Sequence, residues 1–573
     1  MATRIFFALI VLALCRIALS TQGDICYVIG AKTTLVDDRL YFISGNYSIV
    51  SFDGQDITPT ASLYSLSLSS QFPVERSIPQ GLLSNDTIDS DITVAYNSAL
   101  RTSSGDATGA LWHSNDTIYV FGGGFETPTS TLSAYNVTAG KWKDVKAAGG
   151  AFNFGNRTSS QYVSAPGSGL HFIYGGTTPY MGGMLRLDAS DPDNLSWTNE
   201  TLGNGSHGVK VPNLESGAMV YIPAGKEGML ISFGGSNVTA GIDPDWGWPY
   251  DSDWLTVYVY DIASHTWWVQ EASGSAPLHK GSFCTAVTAS PDGGAFHITT
   301  YGGWSLNYGR SYEDVHVLSI PSFTWIDATD LSNESNKEQQ VNSTIGRDSL
   351  TGSCQTYKGA RMIVLGGGIR AGAYSLTNGA CSNVFEPVRV LDLSKYEWQT
   401  ELDTNASYEV PPIIYDKIGG DATGGATSTV PSAGFADATL SSLLQLRVAT
   451  ATGGTASSKP SNSSATGTPE NHSHSVNAGA IAGGVVGGVV GLALIAGMAW
   501  FLLRRRRGAK GDAHAPHRVG KGVTSPQVQE MDASYSNQVD AYGRPLRPGG
   551  GMVHEFPVSP AAAELDSTAR RHM

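Results

Sequence analysis

An internal repeat is the feature that most constrains how this chain folds. Each repeat holds an apolar or aromatic run, a glycine doublet, a variable loop, a second apolar strand and a tryptophan. A weaker copy of the pattern ends at Gly45. The spacing of 53 to 68 residues between successive doublets predicts a repeat architecture rather than unrelated domains. The five clear doublets begin at Gly122, Gly175, Gly234, Gly302 and Gly366.

The second half of the repeat has a fixed spacing. An apolar strand residue lies seven positions before the tryptophan in four pairs: Tyr135 and Trp142, Tyr260 and Trp267, Leu318 and Trp325, Leu391 and Trp398. Leu187 and Trp197 are ten apart, which indicates a three-residue insertion. An apolar run before Gly-Gly predicts a buried strand and a turn that needs positive φ or close backbone approach. The tryptophan predicts packing between neighbouring sheets.

Composition agrees with an all-β fold. The 573 residues include 68 glycines, and only 15% are charged. Helical periodicity is absent from the repeats. These features are typical of a turn-rich β protein.

Three segments resemble the kelch membrane proteins common in fungi, which are also grouped with attractin-like propellers. They are VYVYDIASHTWWVQEASGSAP (Val257 to Pro277), SFCTAV (Ser282 to Val287) and VRVLDLSKYEW (Val388 to Trp398). The resemblance covers about residues 24 to 420. It implies a kelch-type β-propeller, a ring of four-stranded blades. Counting the five clear repeats and the weaker first one predicts a six-bladed ring. The first blade departs from the pattern at Ser44-Gly45 and Phe72, so five or seven blades remain alternatives.

A propeller ring needs a closure, because an open ring leaves two unpaired edges. We expect a strand from one terminus to complete a blade begun by the other. The candidate strands are Ile25 to Ile29 and Ile413 to Ile418, which would place Cys26 at the seam.

The N-terminus is typical of a secretory signal peptide over residues 1–20. Arg4 precedes an apolar run from Ile5 to Leu14, and small residues suit cleavage before Thr21. The alternative, an uncleaved anchor, needs about 20 uninterrupted apolar residues. The run is half that length.

A second apolar stretch, residues 478–503, is long enough to cross a bilayer and carries no charge. Four arginines, Arg504 to Arg507, follow it and predict a cytoplasmic C-terminus. The chain is therefore predicted to be a single-pass type I protein of the plasma membrane or another secretory-pathway membrane. A buried helix of a soluble domain is the alternative.

The sequons fit this topology, because Asn-x-Ser/Thr is glycosylated only in the secretory lumen. Fourteen occur, and all precede the predicted span. They are Asn46, Asn85, Asn115, Asn136, Asn156, Asn194, Asn199, Asn204, Asn237, Asn333, Asn342, Asn405, Asn462 and Asn471.

Charge separates the two sides of the span. The segment from Arg504 onward carries 11 Lys and Arg against 7 Asp and Glu, whereas residues 21–503 carry 23 against 43. An acidic outer part argues against nucleic acid as a partner.

Four cysteines follow the signal peptide, and in an oxidising compartment they predict disulfides with three possible pairings. We favour Cys354 with Cys381, which lie in one repeat, and hence Cys26 with Cys284.

The remaining segments are predicted from composition. Residues 21–447 form the propeller with its closing segment, in which Ala436 to Arg447 could form a short amphipathic helix. Residues 448–477 form a Ser/Thr/Gly-rich flexible stalk, and 504–573 form a disordered cytoplasmic tail for recruitment or anchoring.

Glycines in the span recur at every fourth position. Gly479, Gly483, Gly487 and Gly491 form a stripe that lets two helices approach closely, which predicts a homodimer. Chance is the alternative, because glycine is common in membrane spans.

No catalytic residue, cofactor or metal site is predicted. The family that the chain resembles includes copper-radical oxidases. Their site needs an adjacent Tyr-His pair, and no such dipeptide occurs in this sequence. The GxSxG, HExxH and Walker patterns are absent too. His171, His297 and His316 occupy strand positions that favour hydrogen-bonded packing.

One loop is the best candidate for binding. Aromatic faces beside carboxylates suit a sugar ring, and the carboxylates alone suit calcium. The alternative is that the loop packs its own tryptophans onto the blade. The residues are Asp243, Asp245, Trp246, Trp248, Asp251, Asp253 and Trp254.

Together these features predict a non-catalytic cell-surface protein that binds a protein or a cell-wall glycan. One alternative is a membrane-tethered enzyme, oxidase-like or glycan-processing. A second is a glycosylated spacer of the cell wall.

Overall fold

The computed structural model describes most of the repeat region. It describes residues 25–43, 46–51, 54–58, 62–75, 77–78, 80–87, 109–122, 131–149, 159–176, 183–200, 211–242, 249–305, 310–338, 347, 350–368 and 386–448. The predicted signal peptide, membrane span and tail lie outside these ranges, as does the stalk beyond its first residue. Within the ranges, no helix has the length and apolarity needed to cross a membrane.

Six antiparallel sheets follow one another along the chain. Each is a blade, and we call its four main strands A to D in chain order. Outside strand D of the fifth blade, Ser273–Gly274 adds a short parallel strand. Blades 1 to 3 are β2 (Lys32–Val36), β3 (Arg39–Ile43), β6 (Ser62–Ser67) and β7 (Leu83–Thr87); β8 (Ala110–Ser114), β9 (Thr117–Gly122), β10 (Thr131–Asn136) and β11 (Lys141–Asp144); and β12 (Gln161–Ala165), β13 (Leu170–Tyr174), β14 (Met184–Asp188) and β15 (Ser196–Glu200).

The second half of the ring repeats the arrangement. Blades 4 to 6 are β17 (Ala218–Ile222), β18 (Met229–Phe233), β21 (Thr256–Asp261) and β22 (Thr266–Glu271); β24 (Cys284–Ala289), β25 (Phe296–Tyr301), β28 (Val315–Ile320) and β29 (Thr324–Asp327); and β30 (Cys354–Tyr357), β31 (Arg361–Leu365), β32 (Val388–Asp392) and β33 (Glu397–Gln399).

Shorter elements lie in the connections. They are β1 (Ile25–Ile29), β4 (Asn46–Ser51), β5 (Gly54–Thr58), a 3-10 turn (Gln80–Leu82), β16 (Leu214–Glu215), β19 (Ser236–Ile242), β20 (Pro249–Asp251), β23 (Ser273–Gly274), β26 (Trp304–Ser305), β27 (Arg310–Ser311), and helices α1 (Thr329–Glu338), α2 (Pro412–Ile418) and α3 (Ala438–Leu444).

The A strands lie side by side around the centre, and β30 of blade 6 is next to β2 of blade 1. At this seam Thr33 N donates to Gly352 O at 2.9 Å, and Ser353 Oγ donates to Ala31 O at 3.0 Å. The ring is therefore closed with six blades, as predicted, and the five- and seven-blade alternatives are wrong.

The predicted closure by strand exchange is wrong. Each blade takes its strands A to D from one stretch of the chain, and the bonds of Thr33 and Ser353 at the seam join the first blade to the last without an exchanged strand. β1 pairs with β4 in a separate sheet, although its Val28 does lie against Gly366 of blade 6. Residues 413–418 lie in α2, which begins after Pro411 and contains Pro412 in its first turn, a favoured position for proline.

Six hydrophobic clusters fill the spaces between neighbouring blades, one at each interface. The repeat tryptophans belong to these clusters. Trp325 of blade 5 meets Phe233 of blade 4 edge-on at 5.4 Å between ring centroids, and Trp398 of blade 6 meets Tyr301 of blade 5 at 4.7 Å. The predicted packing of tryptophans between sheets is confirmed.

Strand pairing explains the seven-residue offset. Tyr135 pairs directly with Trp142 across the turn between strands C and D, and Leu318 pairs with Trp325 in the same way. Leu187 and Trp197 are also direct partners, so the three extra residues lie in the turn.

The glycine doublets meet both conditions that the sequence predicted. The first glycine has φ of 69° at Gly175, 68° at Gly234 and 72° at Gly302. The N–H of the second glycine donates to a carbonyl on the segment entering the next blade. For Gly303 the acceptor is Arg347 O at 2.7 Å. Close backbone approach therefore joins neighbouring blades.

Residues 403–448, which we call the strap, lie across the short turns of blades 6, 5 and 4. Lys358 Nζ donates to Thr404 O at 3.2 Å, Gly425 N donates to Asp292 Oδ2 at 2.7 Å, and Gly225 N donates to Leu443 O at 3.1 Å. The helix predicted over residues 436–447 is confirmed as α3. Its buried residues are Leu440 and Leu444.

The glycine requirement gives a first prediction. Gly366→Ala should lower the free energy of unfolding by about 3 kcal/mol, because its Cβ would overlap Val28 O as well as strain a φ of 74°. Gly359→Ala is the matched control, because its φ is 68° but its Cβ would meet open space, and should cost about 1 kcal/mol. Chemical denaturation measures both, and equal losses would contradict the seam contact.

His297 gives a second prediction. It is buried in blade 5, its Nδ1 lies 2.7 Å from the hydroxyl of Tyr408 on the strap, and burial lowers its pKa to about 4. In the unfolded chain the imidazole has its ordinary pKa of about 6.5, so the contribution of neutral His297 to the free energy of unfolding is at its maximum above that pH. It falls by up to about 3 kcal/mol as the pH drops toward 4.

We therefore expect the free energy of unfolding to fall less steeply between pH 6.5 and 4 in His297→Gln than in the unchanged protein. His265→Gln, which removes a half-exposed imidazole, is the control. Identical slopes for His297→Gln and the unchanged protein would refute the expectation.

Candidate binding face and central channel

The connections between strands divide the propeller into two unequal faces. Turns that join strands A and B contain two to six residues. Connections from B to C contain 8 to 22 residues, and those from D to the next A contain 12 to 26. We call the side with the long connections the loop face and the opposite side the turn face.

The predicted Asp/Trp loop lies on the loop face, between strands B and C of blade 4. Residues 243–248, which include Asp243, Asp245, Trp246 and Trp248, lie outside the described residues. Asp251 is half-buried in β20. Asp253 is exposed and stabilises the turn into strand C, where Oδ1 accepts from Leu255 N at 3.0 Å.

Trp254 does not serve as a binding surface. Its side chain is 1% exposed and packs on Phe283 at 4.7 Å between ring centroids. Its carbonyl oxygen accepts the Nε1 proton of Trp325 at 3.0 Å. The prediction that Trp254 binds ligand is wrong, because this indole is the core residue between blades 4 and 5, as the packing alternative expected.

A buried cation organises the loop face beside Trp254. Lys280 is 1% exposed, and its Nζ donates to Asp314 and lies 5.9 Å from the Trp254 ring and 5.4 Å from the Tyr312 ring. Burial lowers the pKa of Lys280, while Asp314 opposes that shift. The pair joins the connections of blades 4 and 5. Sequence reasoning missed it, because a single Lys after a loop gives no distinctive pattern.

A cavity of about 380 Å³ adjoins this pair, with Glu313, Asp327, Asp330 and His316 among its lining residues. His316 Nδ1 lies 3.3 Å from Asp314 Oδ2, and burial lowers the pKa of His316, which favours the neutral imidazole over an ion pair. No group of three side chains able to hold a metal occurs in the part of the chain that the structure describes.

The A strands enclose a central channel with a cavity of about 260 Å³. Tyr162 of blade 3 crosses this channel. Its hydroxyl oxygen accepts Thr33 N at 3.0 Å on blade 1 and donates to Gly352 O at 3.1 Å beside blade 6. Burial raises the pKa of Tyr162, so the phenol stays protonated and neutral.

Gly352 makes this crossing possible. Its φ is 79°, and a Cβ there would overlap the Tyr162 ring. Lys32 Nζ lies 5.4 Å from the centroid of the same ring and donates to Thr351 O at 3.1 Å. Residues of blade 1 and of the segment entering blade 6 thus fix the position of the blade 3 ring near the loop-face end of the channel.

His113 lines the channel, whereas His171 lies one strand farther out, on strand B of blade 3. His113 Nδ1 lies 2.8 Å from Thr34 Oγ1, and His171 contacts Ser114 Oγ at 2.9 Å and Ser164 Oγ at 3.1 Å. Burial, helped by His113, lowers the pKa of His171 to about 3. Both imidazoles are neutral at physiological pH, and the predicted packing role of His171 is confirmed.

The disulfide joins Cys284 to Cys354, with 5.6 Å between the Cα atoms. Both favoured pairings, Cys354 with Cys381 and Cys26 with Cys284, are therefore wrong. Cys284 and Cys354 begin the A strands of blades 5 and 6, which are neighbours in the ring. Their separation of 70 residues, close to one repeat, was the signal that could have revealed the pair.

The described sequons lie on both faces, so they do not distinguish one face as shielded. Asn115, Asn194, Asn199 and Asn405 are exposed. Asn136 and Asn237 are half-buried, and the Asn333 side chain on α1 has a buried Oδ1. Glycosylation of any of them stays a prediction. Asn156, Asn204, Asn342, Asn462 and Asn471 lie outside the described residues.

No family model matches the chain. A protein of Arthroderma benhamiae described as "Kelch repeat-containing protein" is 26% identical over 599 residues, covering 91% of this chain and 82% of that protein. Hydrazine synthase of Kuenenia stuttgartiensis aligns at a TM-score of 0.31 and 10% identity, over 66% of this chain and 80% of that chain. The latter likeness is too weak to carry a conclusion. The relative and the six blades together support a kelch-type β-propeller.

The disulfide gives a third prediction. Replacing both Cys284 and Cys354 by Ala should lower the free energy of unfolding by about 4 kcal/mol, because the bond closes a 70-residue loop of the unfolded chain. Dithiothreitol-treated protein should match the double variant. Peptide mapping under non-reducing conditions tests the pairing itself, and a Cys354–Cys381 peptide would contradict it.

Proposed function

We propose that this protein is a non-catalytic surface receptor whose loop face binds a protein or a cell-wall glycan. The proposal rests on one observation: all the long connections between blade strands lie on the same face of a closed ring. Variable loops on a rigid scaffold are the usual location of binding residues in proteins.

The rigidity of the scaffold supports this proposal. Six interblade cores and the inner-strand bonds at the seam fix where each long connection begins and ends. The Lys280 to Asp314 pair ties two connections together directly. A surface held in this way loses little conformational freedom on binding, which favours affinity.

The turn face is less suited to binding. Its connections between strands A and B are short, and the strap occupies it over blades 4 to 6. The described chain ends there as well, where Val448 N donates to Pro223 O at 3.2 Å. A tether that continues from this point starts on the side opposite the proposed binding face.

In this proposal the chain is a single-pass type I membrane protein. Support comes from the sequence: a signal peptide, an uncharged span at residues 478–503, the arginines that follow it, and sequons confined to the segment before it. The cytoplasmic tail then recruits partners or anchors the protein, and the glycine stripe of the span favours a homodimer.

Two exposed leucines on opposite faces give a fourth prediction. Leu278 on the loop face is 53% exposed, and Leu446 on the strap is 45% exposed. Leu278→Arg should weaken binding to the cognate cell-wall fraction or surface protein about tenfold, since it places a charge in the binding surface. Leu446→Arg should leave binding unchanged. Quantitative pull-down with full-length detergent-solubilised protein measures both.

The double variant Trp246→Ala/Trp248→Ala tests the predicted loop in the same assay, together with a glycan array. Loss of binding in Leu446→Arg with full binding in Leu278→Arg and in the tryptophan variant would show that the wrong face was chosen.

A further inference from the structure

Two buried polar atoms in the wall of the central channel lack a protein partner. Gln161 is 1% exposed and Thr351 is 7% exposed. Among the described residues, neither Gln161 Nε2 nor Thr351 Oγ1 has a hydrogen-bond partner. A buried polar group left unpaired costs about 1–3 kcal/mol, so the two together are an expensive feature for the fold alone.

Flipping the Gln161 side-chain amide still leaves one of its two polar atoms unpaired among the described residues. Its Oε1 accepts from Ser232 Oγ at 2.8 Å. Ser232 is fully buried on strand B of blade 4. If the amide were flipped, Nε2 would donate to that hydroxyl and the oxygen would be left over instead. One amide atom is available to a ligand in either orientation.

The chemistry of the cavity wall is polar but uncharged. Hydroxyls and amides dominate its polar part, with Thr33, Thr285, Gln355 and Tyr162 beside the two unpaired groups. Within the described ranges, no Asp, Glu, Lys or Arg lines this cavity. The imidazole of His113 lies in the wall, and burial lowers its pKa, so it is neutral at physiological pH. Lys32 lies next to the wall but outside this lining, where its Nζ donates to Thr351 O at 3.1 Å, so a charged ligand would find no counter-charge in the wall itself.

The rest of the wall is apolar, and the volume is small. Ala218, Val220 and Phe283 contribute carbon surface near the unpaired groups. A volume of about 260 Å³ corresponds to roughly nine waters of liquid. It lies just below the range of about 300–1,000 Å³ typical of drug-sized ligands. One monosaccharide unit fits this size, whereas an oligosaccharide does not.

We propose that the central channel binds one neutral sugar unit, whose hydroxyls bond to Gln161 and Thr351 and whose C–H face contacts Phe283. Hydroxyl groups both donate and accept, so they satisfy an amide in either orientation and a threonine hydroxyl. The inference rests on the proposed function and narrows it: the loop face takes a neutral glycan, and the terminal residue of that glycan enters the channel.

The test uses full-length detergent-solubilised protein and free D-glucose, D-mannose, D-galactose and N-acetylglucosamine as probes. Glucuronic acid and glucosamine serve as charged comparisons. Saturation-transfer NMR should detect binding of at least one neutral sugar and of neither charged sugar. Titration should then show binding about fivefold weaker in Gln161→Leu and in Thr351→Val, the value of one hydrogen bond.

The same variants separate a binding role from a structural one. Because Thr351 Oγ1 has no partner among the described residues, Thr351→Val should leave the melting temperature unchanged or raise it. Gln161→Leu also removes the bond that Gln161 Oε1 accepts from the buried Ser232 hydroxyl, so it should lower the melting temperature. Gln399→Leu, the same replacement on the outermost strand of blade 6, should leave sugar binding unchanged. Weaker binding in Thr351→Val at an unchanged or raised melting temperature supports the proposal.

Two results would overturn it. One is no detectable binding of any neutral sugar by the unchanged protein, while the Leu278→Arg and Leu446→Arg pair still identifies the loop face. In that case the proposed function stands and the channel site fails. The other is sugar binding that both channel variants retain at full affinity. The sugar would then bind elsewhere, and the channel polar atoms would serve only water.

Discussion

The backbone contact between a glycine doublet and the next blade is the constraint on which this propeller depends. The second glycine donates its N–H to a carbonyl of the incoming segment, as Gly235 does to Lys280 and Gly303 does to Arg347. A side chain at the first glycine would hold the two blades apart. Because these contacts keep the inner radius of the ring small, the space between blades widens outward, and the tryptophans of strand D fill it there. Small residues near the centre and large ones outside fit a wedge-shaped gap.

Closure by inner strands has a functional counterpart. Since no strand is exchanged between blades 1 and 6, the described segments before blade 1 and after blade 6 make other contacts. The C-terminal one forms the strap, and the N-terminal one forms β1 against Gly366. The loop face is left to vary, with Lys280 holding two of its connections in place. The binding surface can therefore change in sequence without disturbing the ring.

Features that depend on neighbouring strands could be predicted from the sequence. The doublets and the tryptophan offset report turns and direct cross-strand pairs, so the fold and blade number followed from them. Features that depend on which blades meet across the ring could not. Tyr162 reaches Thr33 and Gly352 far away in sequence. In the same way, a loop rich in Asp and Trp does not reveal from its sequence that the carbonyl of Trp254 accepts the Nε1 proton of Trp325. A prediction based on local composition took that buried indole for a binding residue.

The strap makes the two halves of the ring unequal. It adds Leu440 and Leu444 to the core between blades 4 and 5, and Ile414 and Ile418 to the core between blades 5 and 6. The cores between blades 1 and 2 and between blades 2 and 3 contain no described residue of the strap. Amide hydrogens of blades 4 to 6 should thus exchange through rarer openings than those of blades 1 to 3. The strand pattern of the ring is nearly sixfold, but its local stability is then higher in blades 4 to 6 than in blades 1 to 3.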